Sequence, residues 1–76
     1  MRELLEYLTK ALVEDPDAVE VEELEEDGDL VYEITVADDD LGRVIGKGGR
    51  VANAIRTIAK AAAVRIDRRV IVDILD

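Results

Sequence analysis

Apolar residues recur at helical intervals along the start of the chain. Leu4, Leu5, Leu8, Ala11 and Leu12 share one face, and the spacing predicts an amphipathic helix over residues 2–14. Asp15-Pro16-Asp17 ends it, because proline disfavours the α region for the residue before it. The period then changes to two. Val19 and Val21, and further on Leu30, Tyr32, Ile34 and Val36, alternate with polar residues and predict two strands. Glu25-Glu26-Asp27-Gly28-Asp29 joins them, with Asp27-Gly28 as the turn signal. Asp38-Asp39-Asp40 stands where an N-cap is wanted, and a short helix through Leu41 to Ile45 follows. Val51, Ala54, Ile55, Ile58, Ala59 and Ala62 restore the helical period over residues 50–63. Arg65-Ile66-Asp67-Arg68-Arg69 reads as a basic connector, and Val70 to Leu75 as a strand buried on both faces over part of its length.

The order is therefore α-β-β-α-α-β. The first two strands form an antiparallel hairpin. After two helices the last strand lies most simply parallel to the strand over 30–36, through a right-handed crossover. A three-stranded mixed sheet with helices packed on one face is an α+β fold. Seventy-six residues make one small domain covering residues 1–76, with no repeat, linker or low-complexity segment.

Composition narrows the chemistry. Without Cys or His, disulfides are excluded and zinc sites of the usual kind are not expected. Ser is absent too, and Thr9, Thr35 and Thr57 are the only aliphatic hydroxyls, each inside a predicted element. Nucleophilic catalysis has no candidate, and the expectation is a protein that is not an enzyme and carries no cofactor. Glu23, Glu25 and Asp27 before Gly28 imitate the start of a calcium loop, but Ile34 stands where its closing Glu belongs. No apolar run reaches the roughly 18 residues of a membrane span, and acids occupy the place of a signal peptide's apolar stretch. The expected location is the cytoplasm.

The formal net charge of −9 disguises a segregation. Residues 1–40 carry 2 basic and 16 acidic side chains, whereas residues 41–69 carry 8 basic and 1 acidic. The positive segment surrounds Val44-Ile45-Gly46-Lys47-Gly48-Gly49-Arg50 and the helix after it, the footprint of a phosphate-contacting surface. Glycines let backbone approach a ligand closely, and the following helix presents unpaired N–H groups and a positive dipole end at the same place. An anion, above all a phosphate, suits such a turn. Spacing excludes two nucleotide motifs. A Walker A loop needs four residues between its glycines and a hydroxyl after Lys; Gly42 precedes Gly46 by one too few, and Gly48 replaces the hydroxyl. A dinucleotide fingerprint must follow a strand directly, and this turn follows a short helix.

The run from Val44 to Arg50, with Ile55 after it, resembles the V-I-G-x-x-G core of a KH domain. Gly46 and Gly49 match the motif glycines, and Lys47 and Gly48 fill the variable pair. The element order resembles the type II KH fold, and the whole chain resembles the small bacterial single-KH RNA-binding proteins of the KhpA family. The resemblance implies a groove for single-stranded RNA with two rims. Lys47, Gly48, Gly49 and the start of the 50–63 helix would meet phosphates, with Arg43 and Arg50 flanking the loop. Val44, Ile45 and Ile55 would floor the groove, or else belong to the core. Arg68 and Arg69 would begin the opposite rim, and Val70 to Val72 would offer backbone groups to base edges. The family's members pair with themselves or with a larger KH-containing protein, and act as RNA chaperones or post-transcriptional regulators. A homodimer or such a heterodimer is therefore expected, with no small-molecule substrate and no membrane. Two alternatives stand beside this: an adaptor whose main task is holding a protein partner, and a binder of single-stranded DNA.

Overall fold

The computed structural model describes residues 1–75. Its main elements are helix α1 (Arg2–Leu12), strands β1 (Glu20–Glu26) and β2 (Asp29–Thr35), helices α2 (Leu41–Ile45) and α3 (Arg50–Ala63), and strand β3 (Val70–Ile74). Single 3-10 turns at Pro16–Ala18, Asp38–Asp40, Lys47–Gly49 and Val64–Ile66 join them. The sheet order is β1-β2-β3, with β1 antiparallel and β3 parallel to β2. This is the α-β-β-α-α-β order and mixed sheet that the sequence predicts.

Register separates the two faces of the sheet. Val21 pairs with Ile34 across the hairpin, and Leu30, Tyr32 and Ile34 face Val70, Val72 and Ile74 across the parallel pair. These positions join Leu5 of α1, Val44 of α2 and Ile55 and Ala59 of α3 in one core. On the opposite face, Val31 lies between Leu24 and Ile71, outside that core. Next to this apolar row, Glu22, Glu33 and Asp73 stand side by side on three successive strands. Like charges directly opposite one another oppose sheet formation.

The hairpin turn is tighter than the predicted 25–29 connection. Only Asp27 and Gly28 leave the ladder, both at positive φ (51° and 86°), as a two-residue type I′ loop requires. Glu25 and Glu26 therefore belong to β1 and Asp29 to β2.

Three further expectations are corrected. First, α1 ends at Leu12 rather than at residue 14, with Val13 extended (φ −99°, ψ 161°). The chain leaves the helix there because the N–H groups of Glu14 and Asp15 turn away to donate to Asp40, at 3.0 and 3.1 Å. Second, Asp40 does not cap α2 with its side chain. It is a buried carboxylate that receives those two amides and an Arg43 Nη1 contact at 3.3 Å. Third, α3 buries Ala52, Ile55, Ala59 and Ala63. Ile58, expected on the apolar stripe, is 42% exposed, and Ala54 is exposed too. The small alanine side settles against the sheet, and the bulkier side is left facing α1.

Among the described residues no helix is long and apolar enough to cross a membrane. The buried hydroxyl of Thr9 donates back to the Leu5 carbonyl at 2.7 Å, so no buried side-chain polar atom among those residues lacks a partner.

Candidate nucleic-acid interface

The Val44–Arg50 segment folds as a helix end, one 3-10 turn and a helix start. Helix α2 closes with the Gly46 N–H donating to the Gly42 carbonyl at 2.8 Å. Gly46 then takes φ 76° and ψ 170°, a region open essentially to glycine alone. A Cβ there would lie 2.5 Å from Val51 Cγ2 and 2.8 Å from Val51 N, so glycine also permits the close approach of α2 to α3. Gly48 (φ 65°, ψ 19°) and Gly49 (φ 80°, ψ 12°) are left-handed for a different reason. They reverse the chain so that α3 starts at once, with Gly49 as its N-cap and no side chain capping its first turn. A Cβ on Gly48 would meet nothing within 4 Å. The loop is thus held from behind at Gly46 and open in front at Gly48, with first-turn amides left free of side-chain caps at its exit.

Beyond the loop, α3 and β3 enclose a groove of about 890 Å³. Its α3 wall carries Arg56, Lys60 and Ala63, continued by Val64 of the next turn, and its other wall is β3 with the connector from Asp67 to Arg69. Asn53 links the two: its side chain lies 3.8 Å from where a Cβ on Gly49 would stand, and its Oδ1 accepts from Arg56 Nη1 one turn further along the same face of α3, so the loop borders the groove. β3 is an edge strand, with no strand among the described residues paired to its outer side. The ladder uses the Arg69 carbonyl, which accepts from Leu30 N–H, and the Leu75 N–H, which donates to the Ile34 carbonyl. Alternation then turns the N–H and C=O groups of Val70 and Val72 outward, into the groove.

The predicted cations fall into two groups. Lys47 and Arg50 are exposed beside the open loop and carry no ion pair among the described residues. Arg69 is 74% exposed at the groove's far end, with only a loose 3.9 Å approach to Asp29. Arg43 and Arg68, by contrast, are occupied. Arg43 bridges Glu14 and Asp40 and donates to the Asp39 carbonyl, which ties α2 to the end of α1. Arg68 donates to the Gly28 carbonyl from Nε and Nη2 and pairs with Glu25, fastening the connector to the hairpin tip. Ile45 is half-buried beside the loop, and Ile55, like Val44, belongs to the core.

Arg56 and Lys60 escaped sequence reasoning, which followed the apolar stripe of α3 alone. Their signal was the companion polar stripe, Asn53, Arg56 and Lys60, at helical spacing. Two ionisable groups elsewhere depart from ordinary behaviour. Backbone amide donation, led by Glu14, holds the Asp40 carboxyl below the usual carboxylate range, with the Arg43 charge adding to it. Burial and donation to Glu23 at 2.7 Å push the Tyr32 phenol up to about 12. Both are structural anchors: Asp40 behind α2, and Tyr32 beside Val72 in the sheet.

The sequence model of the KhpA/KhpB KH domain matches residues 2–74. The chain is 52% identical over 75 residues to a protein of Caldanaerobacter subterraneus subsp. tengcongensis named RNA-binding protein KhpA, covering 99% of this chain and all of that one. Proteins of the same name from Clostridium acetobutylicum and Halalkalibacterium halodurans are 49% and 46% identical, with 99% and 100% of this chain and all of theirs covered. Among solved structures, the fold resembles part of Aquifex aeolicus Era with a TM-score of 0.64 and 24% identity, over 96% of this chain and 28% of that one. With the motif, the element order and a match over nearly its whole length in agreement, the chain belongs to the KhpA/KhpB KH-domain family.

Proposed function

We propose that this chain binds a short stretch of single-stranded RNA, clamping its backbone at Gly46–Gly49 and laying its bases along the α3–β3 groove. The observation that carries this is the loop itself: Gly48 is left-handed and faces open space at the start of α3, whose first turn has no side-chain cap, although its Arg50 N–H donates to the Lys47 carbonyl. Backbone amides there meet phosphate oxygens, with Lys47 and Arg50 supplying charge. Arg69 extends the cationic track at the other end, while Arg43 and Arg68 act from behind by holding α2 and the connector in place. The relatives' name, RNA-binding protein, agrees with this reading. The biological role that fits is an RNA chaperone or post-transcriptional regulator in the cytoplasm.

Gly48→Asp tests the clamp. Asp tolerates the left-handed region better than most residues, so the variant folds by circular dichroism. Its carboxylate stands in the phosphate's place, and binding to a mixed pool of single-stranded RNAs is lost. A folded variant that binds like wild type refutes the clamp. Competition between RNA and DNA of matched sequence decides which polymer the groove prefers.

A specific observation supports partnership as well. Leu8, Ala11 and Leu12 of α1 and Val51, Ala54 and Ile58 of α3 line an apolar groove of about 240 Å³ that none of the described residues covers. Pairing there with a second KH-containing chain buries it and joins two weak sites into one of higher avidity. Ile58→Glu leaves the core intact and makes the protein monomeric in sedimentation; an unchanged oligomeric state refutes this arrangement.

A further inference from the structure

The groove's reading edge is occupied at one position by the protein itself. Arg56 Nε donates to the outward carbonyl of Val72 at 3.2 Å, and its Nη1 is held against Asn53 Oδ1 at 3.4 Å. It is the only side chain of α3 with a hydrogen bond to β3 among the described residues. An outward residue on a bare strand edge offers an N–H and a C=O side by side. That donor–acceptor pair matches adenine, whose N1 accepts and whose N6 amino group donates. With Arg56 on the carbonyl, one of its two lone pairs is taken and a cationic N–H fork stands beside the other, where a second donor is unwelcome. What remains is the Val72 N–H together with the guanidinium hydrogens that neither Val72 nor Asn53 uses, since the fork carries five donors in all.

We propose that Arg56 sets base specificity at the β3 edge. By covering the Val72 carbonyl it leaves donors alone, so the position takes a base edge with two adjacent acceptors and rejects adenine. Cytosine offers such a pair in O2 and N3, and guanine in O6 and N7. Adenine would bring its amino hydrogens against N–H donors and leave both sides unpaired in a partly dried groove. Uracil interrupts its two carbonyl acceptors with the N3 donor and fits no better. This rests on the groove being the RNA site. Gly48→Asp tests that reading through total binding, whereas the position of Arg56 is tested through the ratio between bases.

The measurement is fluorescence anisotropy with oligocytidine and oligoadenosine of about eight nucleotides, twice the KH footprint of about four. Wild type is expected to favour oligocytidine about tenfold, the discrimination that one good two-point base contact gives. Arg56→Met keeps the stem, removes the fork and frees the carbonyl, so the preference disappears or reverses towards adenine. Arg56→Lys restores the charge but not the fork, and the preference stays lost. In wild type, the Val72 amide and Arg56 Nε–H resonances shift on adding oligocytidine, an observation that needs no variant to fold. The proposal is overturned if Arg56→Met keeps the wild-type ratio. It is equally overturned if Arg56→Lys restores both affinity and ratio, which makes residue 56 a phosphate contact. A wild-type preference for oligoadenosine overturns it too. Wild type that binds neither polymer overturns the inference together with the reading beneath it, and Gly48→Asp then has no binding to lose.

Discussion

Replacing Gly46 by Ala separates the glycine packed against α3 from Gly48, which faces open space. At φ 76° and ψ 170° a Cβ is strained on its own account, by about 1–3 kcal/mol. The new methyl also arrives 2.5 Å from Val51 Cγ2 and 2.8 Å from Val51 N. The Val51 side chain can rotate, but its backbone nitrogen belongs to the first turn of α3 and moves only if α2 and α3 separate. Overpacking of this kind costs about 1–3 kcal/mol more. Together these give about 2–6 kcal/mol, against a total stability of about 4–11 kcal/mol for a chain of this size. Gly48→Ala, with a left-handed φ but open space around the Cβ, loses only about 1–2 kcal/mol. Urea denaturation followed by far-UV circular dichroism reads both variants. The expected order is a Gly46→Ala protein close to unfolding and a Gly48→Ala protein near wild type. A Gly46→Ala loss below about 1 kcal/mol, or a larger loss for Gly48→Ala, refutes the division of roles argued from the Cβ geometry.

Asp40 gives the protein an acid limit. Its carboxyl is lowered in the fold, so its stabilisation is complete above the ordinary carboxylate pKa of about 3.9 and is lost as pH falls through the lower folded value. The gap in urea midpoint between wild type and Asp40→Asn is therefore widest near neutrality and closes below about pH 4; a gap that does not vary with pH contradicts this. Glu33 stands between Glu22 and Asp73, and Glu33→Lys is expected to add about 0.5–1 kcal/mol by turning two repulsions into attractions. Added sodium chloride raises the wild-type melting temperature and has less effect on that variant. The logarithm of RNA affinity should fall with that of salt with a slope of only about −2 to −3, the mark of a few phosphate contacts; a slope steeper than about −5 points to a much longer footprint.

Local signals carried most of the fold. The change of hydrophobic period from about 3.6 to 2 placed every main element, and glycine at 49 and the alanine-rich run after it set the bounds of α3. What stayed illegible depended on partners far away in sequence. Nothing near residue 13 tells α1 to stop, because the carboxylate that draws off the next two amides is Asp40, more than two dozen positions later. The face of α3 was ambiguous because alanines lie all around it, and composition does not distinguish Ala52, which is buried, from Ala54, which is not. The same holds for the site. Gly46, Gly48 and Gly49 announced a turn through their spacing, but which of them faces outward depends on where Val51 lies. Arg43 and Arg68 look as available as Lys47 when only the sequence is read. Their engagement with Glu14 and the hairpin tip appears only when chain segments meet in space.

That engagement also explains how an acidic protein can present a cationic groove. Several acids of the first forty residues are paired with particular cations of the basic segment. Glu14 and Asp40 neutralise Arg43, and Glu25 neutralises Arg68. Others, including Glu22 and Glu33, stand on the sheet face turned away from the helices. Lys47, Arg50, Lys60 and Arg56 are left on the loop and on the groove wall of α3. Screening confines their attraction to about 8–10 Å at physiological salt. A strand laid in the groove as proposed would feel those cations, together with Asp67 and Asp73 of its lining, while the more remote acids would act mainly on RNA outside it. On the proposed reading the net charge of −9 works for selectivity: it would weaken non-specific adhesion to long RNA and leave recognition to the few contacts that only a correctly seated single strand can make.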